Sequence, residues 1–268
     1  MSRKQKQYTP YFPYLPHFPC GHLFPKGECS LFALHSTYIR RKQCSHARLY
    51  HYLRRYFQPF YFWYGATEPH RVYEKGSWKR NGKSLDQVDV PGFLPDSEEV
   101  RGDMLDYAVE IEWADSHLSK MLEYLDSIGE LNNTIVIVTA DNGMPFPRAK
   151  ANCFEYGVHV PFAVSYPKGF PGKRRVDDPI SFVDIAPTIL EIAGVKPDGM
   201  LPISGRSFMN ILKSKKEGIV DQSKKYVYMG RERHSSSRWQ NLGYPQRAVR
   251  NQDYLLIWNL RPERWPAG

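Results

Sequence analysis

The stretch TIVIVTADNGMPFPRAK, residues 134–150, decides the fold of this chain. Its first part, the run IVIV at 135–138, is apolar without alternation. Such a run is typical of a strand that is covered on both faces of a parallel sheet. Asp141 and Asn142 follow where this strand ends, and the carboxyl ends of strands in open α/β sheets face the ligand crevice. The stretch therefore predicts an α/β fold with a polar loop beyond a central strand.

The Asp141-Asn142 pair has two interpretations that the sequence leaves open. One carboxylate and one amide oxygen are hard donors, which favour Ca²⁺ or Mg²⁺ over metals that prefer thiolates. Asp-Asn-Gly is also common turn chemistry, so the triplet is equally compatible with a plain turn. The four cysteines do not have the paired spacing of a zinc site.

Neighbouring segments supply further predicted elements. The apolar run at 60–64 predicts a second buried strand that ends in the polar sequence TEPHR at 67–71. Apolar residues at three- and four-residue steps predict a helix from about Ser97 to Ile128, which Gly129 ends. Further strands are expected around 158–166, 180–183, 225–229 and 254–258, with a helix starting at Asp184 and ending near Ile192. The last two strands indicate a small antiparallel subdomain at the carboxyl end of the chain.

Charge and composition set the first 60 residues apart. They hold ten Lys or Arg and one acid, Glu28, together with 13 aromatic residues and many prolines. Residues 61–268 hold 27 basic and 27 acidic residues, so the net charge of +9 belongs to the first segment. Three interpretations stay open: a basic arm for nucleic acid or a membrane surface, a disordered extension, or sequence foreign to the fold.

Targeting and recognition signals are few. The sequence contains no recognised nucleic-acid motif, so we expect no specific nucleic-acid partner. A basic start without a following apolar region predicts no signal peptide, and no apolar run reaches the length of a membrane span. The sequence does not indicate an oligomeric state or a compartment.

Three motifs in order carry a resemblance to a known family. TEPHR at 67–71, TADNGMPFPRAK at 139–150 and SFVDIAPTILEIAG at 181–194 together resemble the sulfatase family of the alkaline-phosphatase-like superfamily, and its sulfamidase-like branch in particular. GRERH at 230–234 and the end of the chain support the narrower placement. The resemblance covers roughly residues 57–268. It implies a mixed, mostly parallel sheet sandwiched by helices, followed by a smaller C-terminal subdomain.

The resemblance also implies roles for particular residues. Asp141 and Asn142 match the second pair of calcium ligands, which are two of the family's four side-chain ligands. Lys150 matches the basic residue that contacts the sulfate and the leaving-group oxygen. His70 matches the active-site histidine, and the residue after it supports the loop. Arg233 and His234 are candidates for holding a sugar or its acidic groups.

The family's nucleophile region has no counterpart in the sequence. Sulfatases use a formylglycine made from the Cys of a Cys-x-Pro-x-Arg motif, and they supply two further calcium ligands as paired Asp residues. Cys44 keeps the spacing to Arg48, but His46 stands where the motif has proline, so the nucleophile is unknown. We expect three parts: an atypical segment 1–56 outside the fold, a partial core at 57–200 that lacks its N-terminal strands, and a partial subdomain at 201–268.

Three functions follow as hypotheses. The first is a calcium-dependent hydrolase of sulfate esters or N-sulfates on sugars, in a truncated copy with little or no activity. The second is a phosphatase or phosphonate hydrolase of the same superfamily, which Asn142 disfavours because such sites hold transition metals with Asp or His. The third is a non-catalytic basic protein that binds polyanions through residues 1–60.

Overall fold

The computed structural model describes residues 30–34, 60–234 and 238–265 of the chain. These residues form two compact units. The first contains the described residues up to Asp141 together with Pro161–Val164, and the second contains Asn142–Val160 and the residues from Ser165 onward. The boundaries expected at residues 56 and 200 stay a prediction.

The first unit is built on a four-stranded sheet. Its strands are β1 (Ser30–Leu34), β2 (Tyr61–Tyr64), β3 (Thr134–Thr139) and β4 (Phe162–Ser165), in the spatial order β2-β1-β3-β4. β1 runs parallel to both β2 and β3. The α/β class and the two strands predicted around residues 61 and 135 are confirmed.

β1 was not expected, because the segment 1–56 was predicted to contribute no strand to the sheet. Leu31 is paired with Tyr61 on one side and Ile135 on the other. A parallel strand at this place satisfies backbone N–H and C=O groups of β2 and β3 that would otherwise be open edges. The rest of that segment, which includes Cys44, lies outside the described residues.

A 30-residue helix covers one face of this sheet. Helix α2 (Glu98–Ser127) follows the short α1 (Ser77–Arg80), and the Ser97 hydroxyl caps it by accepting a bond from the Val100 N–H at 3.4 Å. Gly129 follows its end with φ of 77°, a conformation that glycine adopts without strain. The predicted helix is therefore confirmed to within a residue at each end.

The core of the first unit lies between α2 and the sheet. Met121 and Leu125 of the helix are fully buried and pack with Phe60 and with Val136 of β3. Burial of a side chain of this size stabilises the fold by about 1.5–3 kcal/mol. This packing fixes the helix against the strands whose carboxyl ends carry the predicted site residues.

The second unit contains short helices and a second sheet. The helices are α3 (Glu155–Val158), α4 (Ile185–Ala193) and α5 (Met209–Lys213). The sheet has the order β5-β6-β7, formed by Val227–Arg231, Gln246–Arg250 and Leu255–Asn259, and both pairs are antiparallel. The small antiparallel C-terminal subdomain is confirmed, with β6 as a strand that the sequence pattern did not indicate.

The strand predicted at 180–183 is wrong. Residues Phe182–Asp184 form a turn of 3₁₀ helix that leads directly into α4. The Ser181 N–H donates to the Asp184 carboxylate at 2.8 Å, and this local bond favours a helical start over an extended chain. Gly194 ends α4 with φ of 64°, close to the end predicted near Ile192.

The outward face of the C-terminal sheet carries exposed apolar side chains together with Arg247, which is registered with Trp258. Tyr228, Leu256 and Trp258 are 71%, 66% and 65% exposed. Tyr228 and Leu256 are both registered with Val249 of the central strand, so they belong to one row across the sheet. Among the described helices, none is long and apolar enough to cross a membrane.

Candidate functional site

The loop after β2 fixes the orientation of His70. Its backbone N–H donates to the Thr67 carbonyl at 2.9 Å, and its ring nitrogen Nδ1 donates to the Arg71 carbonyl. In the neutral ring, a proton on Nδ1 leaves the lone pair on Nε2. His70 is exposed, so Nε2 is the nitrogen that this loop offers to a ligand.

Helix α2 holds the same loop through an ion pair. The Arg71 guanidinium donates to both carboxylate oxygens of Asp103, with the Nη1–Oδ1 contact at 3.0 Å. It also lies 4.8 Å from the centre of the Tyr73 ring. The hydrogen bond to Asp103 raises the pKa of Arg71, and bidentate geometry of this kind restricts the guanidinium plane. The residue after His70 is thus tied to the helix.

One turn further along α2, Asp106 anchors the segment that follows. Its carboxylate accepts bonds from the Gly76 N–H at 2.7 Å, the Ser77 hydroxyl at 2.8 Å and the Trp78 N–H at 2.9 Å. Asp106 is only 2% exposed. A buried carboxylate with three donors is a structural anchor. The helix therefore fixes the chain after TEPHR at two points.

Asp141 lies just beyond β3 and is exposed. Its negative charge acts on Tyr107 of α2. Burial raises the pKa of Tyr107 to about 12, and the charge of Asp141 adds to that rise. The Tyr73 and Tyr107 rings are 6.5 Å apart. Within the first unit, α2 therefore connects the surroundings of the TEPHR loop with those of the Asp141 carboxylate.

The second unit begins with a tightly closed loop. The Gly143 N–H donates to the Gly157 carbonyl at 3.0 Å, and the two segments approach so closely that a Cβ on Gly143 would lie 1.7 Å from the Tyr156 carbonyl oxygen. A Cβ on Gly157 would lie 2.4 Å from the Ala149 oxygen. Glycine is therefore required at both positions. Asn142 at the start of the loop donates its side-chain N–H to the Gly143 carbonyl at 2.8 Å, which sets the direction of its amide.

The same loop fixes the backbone of Lys150. Its N–H donates to the Met144 carbonyl at 3.0 Å, and its own carbonyl accepts from the Asn152 side-chain amide at 3.2 Å. Two nearby residues have unusual backbone conformations, since Arg148 and Ala151 have φ of 61° and 64°. The Lys150 side chain is half-buried. The lysine thus stands on a rigid, strained turn.

Strand β5 supports this turn. The Arg231 guanidinium donates to the Asn152 side-chain oxygen at 3.3 Å, and burial lowers the pKa of Arg231. Burial also raises the pKa of the neighbouring Cys153 thiol. Arg233 and His234 lie two and three residues beyond the end of β5 and are exposed. Both side chains are therefore open to solvent on the loop that leaves the strand.

The predicted site residues fall into two groups. His70 and Asp141 are in the first unit, whereas Asn142, Lys150, Arg233 and His234 are in the second. The residues that support them were not indicated by the sequence; they are Asp103, Tyr107, Asn152 and Arg231. No local pattern could reveal these contacts, because their partners are 32 and 79 positions away in the two hydrogen-bonded pairs.

The side-chain oxygens of Asp141 and Asn142 are of the type that a hard cation prefers, but two residues supply too few of them for a complete site. A Ca²⁺ site uses about six to eight oxygens. The described residues contain no group of three or more His, Cys, Asp or Glu side chains that could hold a metal. Asp141 and Asn142 would contribute one carboxylate and one amide oxygen. Both are hard donors, the kind that cations such as Ca²⁺ and Mg²⁺ prefer.

Two family models match the chain. The model described as Sulfatase matches residues 2–195, and the model described as N-sulphoglucosamine sulphohydrolase, C-terminal, matches residues 149–265. Both matches include Lys150, and the first includes His70 and the Asp141-Asn142 pair.

Curated relatives agree with these models. The chain is 28% identical over 201 residues to an ulvan-active sulfatase of Formosa agariphila, a match that covers 75% of this chain and 31% of the relative. It is 28% identical over 191 residues to the human N-sulphoglucosamine sulphohydrolase, with 66% and 36% covered. The chain therefore spans about a third of the length of these relatives.

Solved structures share the fold. One is a complex with D-glucosamine-2-N,6-O-disulfate, described as the substrate of that protein. It superposes with a TM-score of 0.62 at 18% identity and covers 79% of this chain and 59% of that one. A structure from Bacteroides fragilis that carries a sulfatase assignment gives a TM-score of 0.61 at 18% identity, with 82% and 52% covered.

Proposed function

Because this chain belongs to the sulfatase family, we propose that it binds sulfate esters or N-sulfates on sugars at a calcium-dependent hydrolase site. The observation that supports this most is Lys150, which matches the family's sulfate-contacting position and stands on a turn held from both sides. Turns of this kind fix the direction of a side chain at a functional site.

Lys150 would stabilise the negative charge that develops during hydrolysis. As the bond from sulfur to the leaving oxygen or nitrogen breaks, negative charge grows on the departing atom and on the sulfuryl oxygens. A fixed ammonium group offsets that charge without reorganisation. Sulfatase-family members are generally metal dependent, and a bound Ca²⁺ would neutralise sulfate oxygens. Asp141 and Asn142 are the residues that would hold it.

His70 would serve the leaving group. Because its Nδ1 donates to the Arg71 carbonyl, Nε2 is the nitrogen available to a ligand. In the neutral ring Nε2 can accept a proton, and in the protonated ring it can donate to a sulfate oxygen or to the leaving atom. The Arg71–Asp103 pair keeps the loop in this arrangement. Arg233 and His234 would contact the sugar or its acidic groups, since an arginine fork suits carboxylate and sulfate oxygens.

We also propose that the 268-residue chain by itself hydrolyses sulfated substrates slowly or not at all. The sequence contains no Cys-x-Pro-x-Arg motif, and binding groups alone cannot carry out the covalent step. Hydrolysis of an aryl sulfate by the purified protein measures this. We expect no rate above that of buffer. A rate that disappears on Cys44→Ala would overturn the proposal of inactivity.

Binding is tested with N-sulfoglucosamine and with unsulfated glucosamine as the matched ligand, by calorimetry in Ca²⁺. We expect only the sulfated sugar to bind, and Lys150→Ala to weaken it about 10-fold or more, because one charge-assisted contact is worth roughly 1.5–3 kcal/mol. The matched control is Lys196→Ala, which removes the same charge at an exposed position of the second unit.

Two results would contradict the assignment. Equal losses in Lys150→Ala and Lys196→Ala would show a general charge effect and not a contact. In the second, binding is lost when Ca²⁺ is removed, and Zn²⁺ or Mn²⁺ restores it better than Ca²⁺ does. That result would favour the phosphatase-like hypothesis instead.

A further inference from the structure

We propose that Asn152, oriented by Arg231, is a positioning residue for Lys150. This inference rests on the proposed role of Lys150 in binding sulfate. It adds two residues that act on the lysine through its backbone and thereby decide where the lysine points. Both lie in the second unit, as does the lysine itself.

The backbone of Lys150 is held at both of its polar groups. The Met144 carbonyl accepts from its N–H at 3.0 Å, and the Asn152 amide donates to its carbonyl at 3.2 Å. The first of these bonds comes from backbone that is already fixed by the loop. The second comes from a side chain, so it is the one that substitution can remove while the backbone bonds remain.

The strain around the lysine explains why such a bond is needed. Arg148 and Ala151 both adopt left-handed backbone conformations, each of which costs a residue with a Cβ roughly 1–2 kcal/mol. The chain would relax if nothing opposed it. The Asn152–Lys150 bond joins the two sides of Ala151, and it therefore resists the rotation that would turn the Lys150 side chain away.

Arg231 sets which end of the Asn152 amide faces the lysine. Its Nη1 donates to the Asn152 oxygen at 3.3 Å, so the amide nitrogen is directed to the Lys150 carbonyl. With the opposite orientation, two donors would meet at Arg231 and two acceptors at Lys150. The guanidinium therefore selects one of the two amide orientations. The positioning chain runs from β5 through Asn152 to the lysine.

The experiment is a double-mutant cycle on N-sulfoglucosamine binding. We expect Asn152→Ala to weaken the affinity about 5- to 10-fold in the otherwise unchanged chain, and less than about twofold in the Lys150→Ala background. A merely structural role would give the same loss in both backgrounds. The matched control is Asn81→Ala in the first unit, which removes a similar amide-to-carbonyl bond of 2.9 Å to Ser77 and should leave affinity unchanged.

A second variant covers the case in which Asn152→Ala does not fold. Arg231→Lys keeps the charge but loses the planar fork, and we expect an affinity loss of about threefold that vanishes in the Lys150→Ala background.

The outcomes separate the two proposals. If Lys150→Ala weakens binding but the Asn152 and Arg231 variants do not, or if their losses are independent of Lys150, the positioning role is overturned and the proposed function stands. If Lys150→Ala has no effect on binding, both are overturned.

Discussion

Helix α2 and the loop at 142–157 hold functional candidates in different ways. The helix is placed by side-chain packing, because Met121 and Leu125 are buried against the strands of the first unit. The loop is placed by backbone contacts, through the close approach of Gly143 to the Tyr156 carbonyl and the bonds around Lys150.

The difference decides which substitutions each region accepts. A packed helix tolerates changes on its exposed face and loses stability in proportion to the volume removed from its buried face. In a loop whose backbone segments are in close contact, substitution at a single position can disrupt the structure, because even one added carbon atom must displace the main chain. Substitutions in the two regions should therefore follow different patterns.

The largest expected effect is in the loop. Gly143→Ala places a Cβ 1.7 Å from a backbone oxygen, so the loop must open, and we expect a loss of more than about 3 kcal/mol in the free energy of unfolding. Urea denaturation measures it. The matched control is Gly92→Ala, where a Cβ meets nothing within 4 Å and stability should change by less than about 0.5 kcal/mol. Similar losses in both variants would show that the close approach does not exist.

An intermediate effect is expected on the helix, where two carboxylates one turn apart can be compared. Asp106→Ala leaves two backbone N–H groups and a buried hydroxyl without their acceptor, and should cost about 2–3 kcal/mol. Asp103→Ala breaks an ion pair whose side chains are 40% and 37% exposed, and should cost less than about 1 kcal/mol. Thermal unfolding of the two variants ranks them. The reverse order would mean that Asp106 is not the anchor.

The smallest effect is a pH dependence within the loop. Hydrogen bonds from His159 and then Arg250 lower the pKa of Glu155 to about 2, although burial opposes them. A folded-state pKa below the ordinary value means that this stabilisation is complete above about pH 4.5 and is lost as the pH falls toward 2. Because Glu155 is 38% exposed, we expect only about 1 kcal/mol. Glu155→Gln should flatten that part of the curve, and an unchanged slope would contradict the assignment.

The sequence predicted the periodic parts of the molecule well. The run at 135–138 indicated β3, and three- and four-residue spacing indicated α2 from about Ser97 to the terminal Gly129. These signals are local, since they depend only on residues a few positions apart. The same local reasoning failed at 180–183, where a hydrogen bond between Ser181 and Asp184 overrides the apolar run.

The supporting residues of the site could not be predicted in the same way. Asp103 and Arg231 look like ordinary charged residues of a helix and a strand until their partners, Arg71 and Asn152, are placed beside them. The strand β1 was missed for a related reason. A short apolar run within a basic, proline-rich segment becomes a strand only because two neighbouring strands leave room for it.

The aromatic outer face of the C-terminal sheet has a practical consequence. Tyr228, Leu256 and Trp258 present exposed apolar surface beside Arg247, and β5 and β7 are the edge strands of the described sheet. Surfaces of this kind promote clustering as concentration and ionic strength rise. Preparations of the protein should therefore show growing light scattering on concentration and strong retention on hydrophobic resins, and mild detergent should reverse both.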